Sequence, residues 1–111
     1  MKKIFLWGTG ERTEYYILME YFQNCNIAGY ICSEKAETTY KGKPVLSLEE
    51  LVEHQEEVDY IVIANEFYEE IIKECDDKKI DLDKIVITDN IPLEPYKTYY
   101  QRVKMVSEDL Y

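Results

Sequence analysis

The stretch Lys3-Ile4-Phe5-Leu6-Trp7-Gly8-Thr9-Gly10-Glu11-Arg12-Thr13 decides the fold. Four successive apolar residues, Ile4 to Trp7, suit a central parallel strand covered on both faces, where alternation with polar residues is not required. Two glycines follow, and then the apolar period changes to that of a helix. In such a strand-turn-helix corner the first glycine permits the sharp turn. The second lets the backbone approach a diphosphate resting on the positive end of the helix. The place that completes a dinucleotide fingerprint holds Thr13 instead of Gly or Ala, so the motif reads G-x-G-x-x-T.

Working outward, residues 12–24 predict a helix whose sheet-facing stripe is Tyr15, Leu18, Met19 and Phe22, with Tyr16, Ile17 and Tyr21 widening the apolar arc. Asn24-Cys25-Asn26 ends it, and Ile27 to Ile31 is a second strand. Two strands separated by such a helix imply a parallel crossover. Residues 33–43 lack apolar periodicity and read as an exposed loop. Pro44-Val45-Leu46 is a short edge strand, because a leading proline is tolerated at a strand start or edge. Ser47-Leu48-Glu49-Glu50 is a capping box flanked by Leu46 and Leu51, which opens a helix reaching Val52 or His54. Val58 to Ala64 is the most β-branched strand of the chain and belongs beside the first. Asn65 follows as the cap of a helix carrying Tyr68, Ile71, Ile72 and Cys75 on its inner face. Lys84 to Thr88 is the fifth strand, with Asp89-Asn90 as its exit turn.

These elements predict an α/β fold: a single open parallel sheet of five strands in the order 3-2-1-4-5, Rossmann-like, with helices on both faces. The predicted domain spans residues 1–92. Residues 93–111 form a C-terminal amphipathic helix with Tyr96, Tyr99, Tyr100, Val103, Val106 and Leu110 on one stripe. That helix either packs on the sheet or serves association.

Composition narrows the function. The 111 residues allow one domain, and the net charge of −10 argues against nucleic acid and anionic membrane as partners. No apolar run approaches the ~20 residues of a membrane span, so a cytoplasmic location is expected. Cys25, Cys32 and Cys75 are widely spaced and form neither a zinc pattern nor a disulfide framework. The one histidine, His54, sits near a helix end where a cation is favoured and reads as solvated. The acidic pairs, Glu49-Glu50 and Glu69-Glu70 among them, read as solvated helix faces. The sequence contains no Ser/His/Asp set and no phosphate-loop lysine, so independent catalysis is not expected.

Open parallel sheets bind ligands outside the carboxyl ends of their strands, where the strand order reverses. That rule gathers Gly8, Thr9, Gly10, Arg12, Thr13, Cys32, Ser33, Asn65 and Glu66 around one crevice. Four of these also have a plainer role. Thr9 and Thr13 suit local capping, and Asn65 suits a helix cap. Arg12 opposes the helix macrodipole unless an anion lies nearby, or unless it pairs with Glu11 or Glu14.

Three features together carry a resemblance: the G-x-G turn, the G-x-P-V-x-x-x-E-E-L segment from Gly42 to Leu51, and the D-Y-I-x-I-A strand from Asp59 to Ala64. Over about residues 2–90 the chain resembles small Rossmann-like modules fused to bacterial sugar-modifying enzymes. These are FkbM-type methyltransferases, glycosyltransferases, and sialic-acid-type sugar O-acyltransferases with such a domain at the amino terminus. The resemblance implies a nucleotide-type small-molecule ligand, as the equivalent acyltransferase domain holds a nucleotide sugar. The second strand of such modules ends in an Asp that accepts from a ribose, whereas this chain has Cys32-Ser33-Glu34. Cys32 cannot fill that role, although Glu34 has the right chemistry. A nucleotide sugar is therefore expected over NAD(P). The expected function is a non-catalytic nucleotide or nucleotide-sugar binding module, part of or partner to a sugar-modifying transferase. The alternative is an interaction domain with a vestigial site, using the Tyr-rich C-terminal helix for a homodimer or for docking on an adjoining transferase domain.

Overall fold

A computed structural model of the chain describes residues 1–19, 21–33, 38–88 and 94–108. Glu34, the Asp89-Asn90 turn and Leu110 lie outside the described residues. The elements are β1 (Lys3–Trp7), α1 (Glu11–Leu18), β2 (Asn26–Ile31), β3 (Thr39–Tyr40), β4 (Lys43–Leu46), α2 (Leu48–His54), β5 (Tyr60–Ile63), α3 (Tyr68–Asp77), β6 (Ile85–Ile87) and α4 (Lys97–Glu108). Among the described residues one sheet has six strands in the order β3-β4-β2-β1-β5-β6. All neighbours pair parallel except β3 with β4, which is antiparallel.

Count and order thus differ from the expected five-stranded sheet, because residues 33–43 are not simply an exposed loop. Lys41 (φ 49°) and Gly42 (φ 77°) form a two-residue turn with positive φ at both positions. That geometry matches the right-handed twist of flanking strands and joins them as a hairpin. Thr39 pairs with Pro44, and Tyr40 with Lys43. Pro44 is therefore not on the sheet edge as predicted; β3 covers it, while β4 joins β2 only at Val45 and Leu46.

β1 lies in the middle of the sheet and is covered on both faces. Phe5 and Trp7 point into a cluster with Ile31, Ile61, Ile63, Ile85 and Ile87, over which α2 lays Leu48 and Leu51, and α3 lays Ile71, Ile72 and Cys75. Ile4 and Leu6 point into the opposite cluster with Val62 and Val86, covered by Phe22, Cys25, Val103 and Val106. The period of two along the strand feeds two separate cores. Helices cover both faces. No helix among the described residues is long and apolar enough to cross a membrane.

The capping box forms as predicted: Ser47 Oγ accepts from the Glu50 amide at 3.2 Å, and Glu50 Oε1 accepts from the Ser47 amide at 3.1 Å. The inner stripe of the first helix does not. Tyr15, Leu18 and Met19 are exposed, at 57%, 80% and 59% of their surface. The helix begins directly at the Gly10 cap and ends at Leu18, so the glycine turn sets its rotation and Phe22 lies beyond its end. The inward residues are Thr13, buried, with Tyr16 and Ile17 half-buried, a three- and four-residue spacing two residues out of phase with the prediction. At the other end of the chain α4 packs against β6 with Val103 and Val106 fully buried. Its Tyr99 meets one core, while Tyr100 meets the other. Arg102 anchors it, donating to the carbonyls of Leu82 and Ile85 at 2.9 Å each.

Candidate functional site

The carboxyl ends of β1, β2 and β5 open onto a crevice of about 390 Å³. β1 has β2 on one side and β5 on the other, so the connections after β1 and β5 leave in opposite directions and part above this point. Three corners build the walls. The β1–α1 corner supplies Gly8, Thr9, Gly10, Glu11, Arg12 and Thr13; the end of β2 supplies Cys32 and Ser33; the β5–α3 corner supplies Ala64, Asn65, Glu66 and Phe67. Trp7 and Ile31 close the bottom. All nine residues that the sequence gathers at the strand ends face this one space.

The glycine turn has a structural cause at its first position. Gly8 takes φ +124°, where an L side chain is strained, and its amide donates to the Ile31 carbonyl at 2.8 Å. A β-carbon on it would stand 3.0 Å from Thr13 Oγ1. Gly10 is different. It caps α1 with φ −93°, a conformation open to any residue, and a β-carbon there meets nothing within 4 Å. Space above Gly10 is what a ligand requires, and folding asks of this position only the mild preference of helix caps for glycine.

The first turn of α1 carries no side-chain cap. Its leading amides point outward as the partial positive pole of the helix. Beneath them Thr13 is 1% exposed, and its hydroxyl has no hydrogen-bond partner. A buried, unpaired hydroxyl costs about 1–3 kcal/mol. The local capping role considered for Thr13 would have paired it. Of the two first-turn acids, Glu14 is drawn off toward the hairpin, where it accepts from the Tyr40 hydroxyl and pairs with Lys41 Nζ at 3.2 Å. Glu11 stays exposed at the rim, with Arg12 half-buried beside it.

On the far wall, Asn65 is not the cap of α3 as predicted. Phe67 occupies the cap, and Asn65 Oδ1 accepts from the Phe67 amide at 2.8 Å. The Asn-Glu pair adds a bend before the helix, which displaces the cap by two residues. Trp7, Glu11, Ile31, Ala64 and Phe67 also line the crevice and were not among the nine; Phe67 is the exposed aromatic of these, and only the fold shows that its ring stays outside the core. His54, at the end of α2, contacts Glu57 far from this space. Among the described residues no group of three or more His, Cys, Asp or Glu could hold a metal ion.

The curated proteins contain no match to this chain. A family model described as C2185-like, N-terminal, matches residues 1–86, which runs from the first strand into β6 and includes every wall of the crevice. The chain belongs to the C2185-like N-terminal family.

Proposed function

We propose that the chain is a Rossmann-like, non-catalytic module that binds a nucleotide or nucleotide sugar, with the phosphates on the first turn of α1. The observation that carries this reading is the Thr13 hydroxyl, buried and unpartnered beneath an uncapped helix N-terminus. Bound phosphate oxygens accept from backbone amides and hydroxyls at such corners; the uncapped first-turn amides offer the former, and Thr13 carries the latter as a buried side-chain hydroxyl that has no partner among the described residues. The open space above Gly10 supports the same reading. The net charge of −10 does not oppose it, since a screened global charge acts weakly beside local dipoles. Resemblance to modules fused to sugar-modifying transferases supports a place beside a transferase domain.

The test is a thermal-shift series with UDP, GDP and CDP sugars, NAD(P), S-adenosylmethionine and coenzyme A. A ligand that binds only the folded state stabilises it by about 2.7 kcal/mol at a hundredfold excess over its Kd. The expected result is a rise with one nucleotide family that Arg12→Glu abolishes. A flat response across the series contradicts the reading.

A second reading, an interaction domain, draws on the exposed Tyr15, Leu18 and Met19 of α1. The Tyr-rich helix first considered for this role buries Val103 and Val106 against the sheet and exposes Met105, so association through α4 and through α1 both stand under this reading. Sedimentation of the chain and of Leu18→Glu tests it: self-association that the charge removes supports association through α1, and monomers in both cases remove the homodimer.

A further inference from the structure

The geometry points to Phe67 as the platform on which the ligand's base stacks, so that the crevice selects nucleosides over bare phosphates and sugar phosphates. This inference rests on the nucleotide reading of the same crevice and adds what occupies its far wall. Phe67 leaves 57% of its surface exposed, while it lines the space opposite Thr13. Its place is unusual for the residue. Helix caps favour Ser, Thr, Asp and Asn because their side chains accept from the first-turn amides, and phenylalanine supplies no acceptor to α3. Neither burial nor capping accounts for an aromatic ring there. Residue choices that break a local rule gather at functional sites.

The backbone that carries the ring is fixed. Asn65 Oδ1 fixes the Phe67 amide at 2.8 Å, and the Phe67 carbonyl accepts from the Ile71 amide at 3.2 Å, so the backbone is tied on both sides. A ring on a fixed backbone loses little freedom when a flat group settles on it. Charge distribution favours the same partition. Each end of the crevice holds one carboxylate, Glu11 beside Arg12 at the α1 end and Glu66 beside Phe67 on the far wall; the Arg12 charge offsets the repulsion of phosphate at the α1 end, while Glu66 accepts from hydroxyls or base N–H groups. Phosphate belongs at the α1 end and the uncharged base at the Phe67 end. Stacking tolerates any base because every base presents a π-face.

Calorimetric titration of the full chain with UDP, ADP, ribose 5-phosphate and inorganic pyrophosphate tests the assignment, using Phe67→Ala and Phe67→Tyr. The expected result is that Phe67→Ala weakens a nucleoside diphosphate about tenfold, leaves pyrophosphate unchanged, and is rescued by Phe67→Tyr. Phe67→Trp supplies a second readout: nucleosides quench its emission and pyrophosphate does not. Equal affinity of wild type and Phe67→Ala for every nucleotide that binds overturns the platform while leaving the phosphate site in place. Equal weakening of pyrophosphate and nucleotides also overturns it, since the ring then acts through the corner as a whole. If wild type binds none of the four, the nucleotide reading itself falls and the platform with it.

Discussion

A β-carbon on Gly8 would have to stand 3.0 Å from the Thr13 hydroxyl in a backbone conformation at φ +124°, whereas one on Gly10 would enter open space. The two glycines of one motif therefore predict different behaviour. Gly8→Ala destabilises the fold by about 1–3 kcal/mol, read as a fall in urea midpoint. Gly10→Ala costs under about 1 kcal/mol but lowers nucleotide affinity, because its methyl occupies ligand space. Equal destabilisation by both would contradict this division. Thr13→Val goes further, since valine keeps the shape and removes the unpaired hydroxyl. The free protein should gain about 1 kcal/mol, while nucleotide binding weakens. A loss of stability with unchanged binding would show the hydroxyl to be a structural group. This corner was legible in the sequence because a strand, two glycines and a helix start are consecutive residues. Phe67 was not legible, since only the fold reveals that its ring is left outside the core. Cys75 carries the pH dependence. Burial, reinforced by the charge of Glu74, pushes its thiol up to about 12 from the ordinary 9.0. Between these values the unfolded chain has lost a proton that the folded chain keeps, so this contribution is full below pH 9.0 and lost as the pH climbs toward 12. Burial pushes Cys25 and Tyr30 in the same direction. Urea midpoints should fall on crossing pH 9.0 upward, and fall less steeply in Cys75→Ala. An unchanged slope would remove Cys75 as the cause.

Elements whose signals are local were read well. The capping box at Ser47 and Glu50 forms through its own four residues, and α3 buries Ile71, Ile72 and Cys75 as its spacing requires. α1 defeated the same reasoning. Tyr15 through Met19 are all apolar or aromatic, so more than one rotation satisfies the period, and the glycine turn selects the one that buries Thr13 and exposes Leu18. The hairpin was missed for another reason: Lys41 adopts φ 49°, which lysine rarely does, and the pairing of Thr39 with Pro44 and of Tyr40 with Lys43 offsets it. α4 depends on an anchor that its periodicity does not display. Arg102 bonds two carbonyls beyond its own helix and lies over the Tyr99 ring, with the guanidinium carbon 5.2 Å from the centroid. Arg102→Ala should cost about 2–3 kcal/mol, since it strands two carbonyl acceptors, and should raise hydrogen exchange in α4 ahead of the sheet. Uniform exchange across α4 and β1 would contradict a separable anchor.

At the scale of the molecule, the sheet puts the glycine turn where chain order divides. β1 is flanked by β2 and β5, both cores close around it, and the three strand ends that surround the crevice come from segments some 30 residues apart. The placement of these strands followed from their apolar runs and the helices between them, whereas the antiparallel edge depended on a turn conformation. The same arrangement makes the central claim, that phosphate sits on the β1–α1 corner, directly observable. The chain has four glycines, Gly8 and Gly10 at the site and Gly29 and Gly42 away from it, so the glycine amide region of a nitrogen-proton correlation spectrum is a sparse reporter. Titration with a nucleoside diphosphate should shift Gly8, Gly10 and Thr13 strongly and leave Gly29 and Gly42 in place. Shifts centred on Gly42, or no shift at Gly8 and Gly10 at saturating nucleotide, would contradict the account.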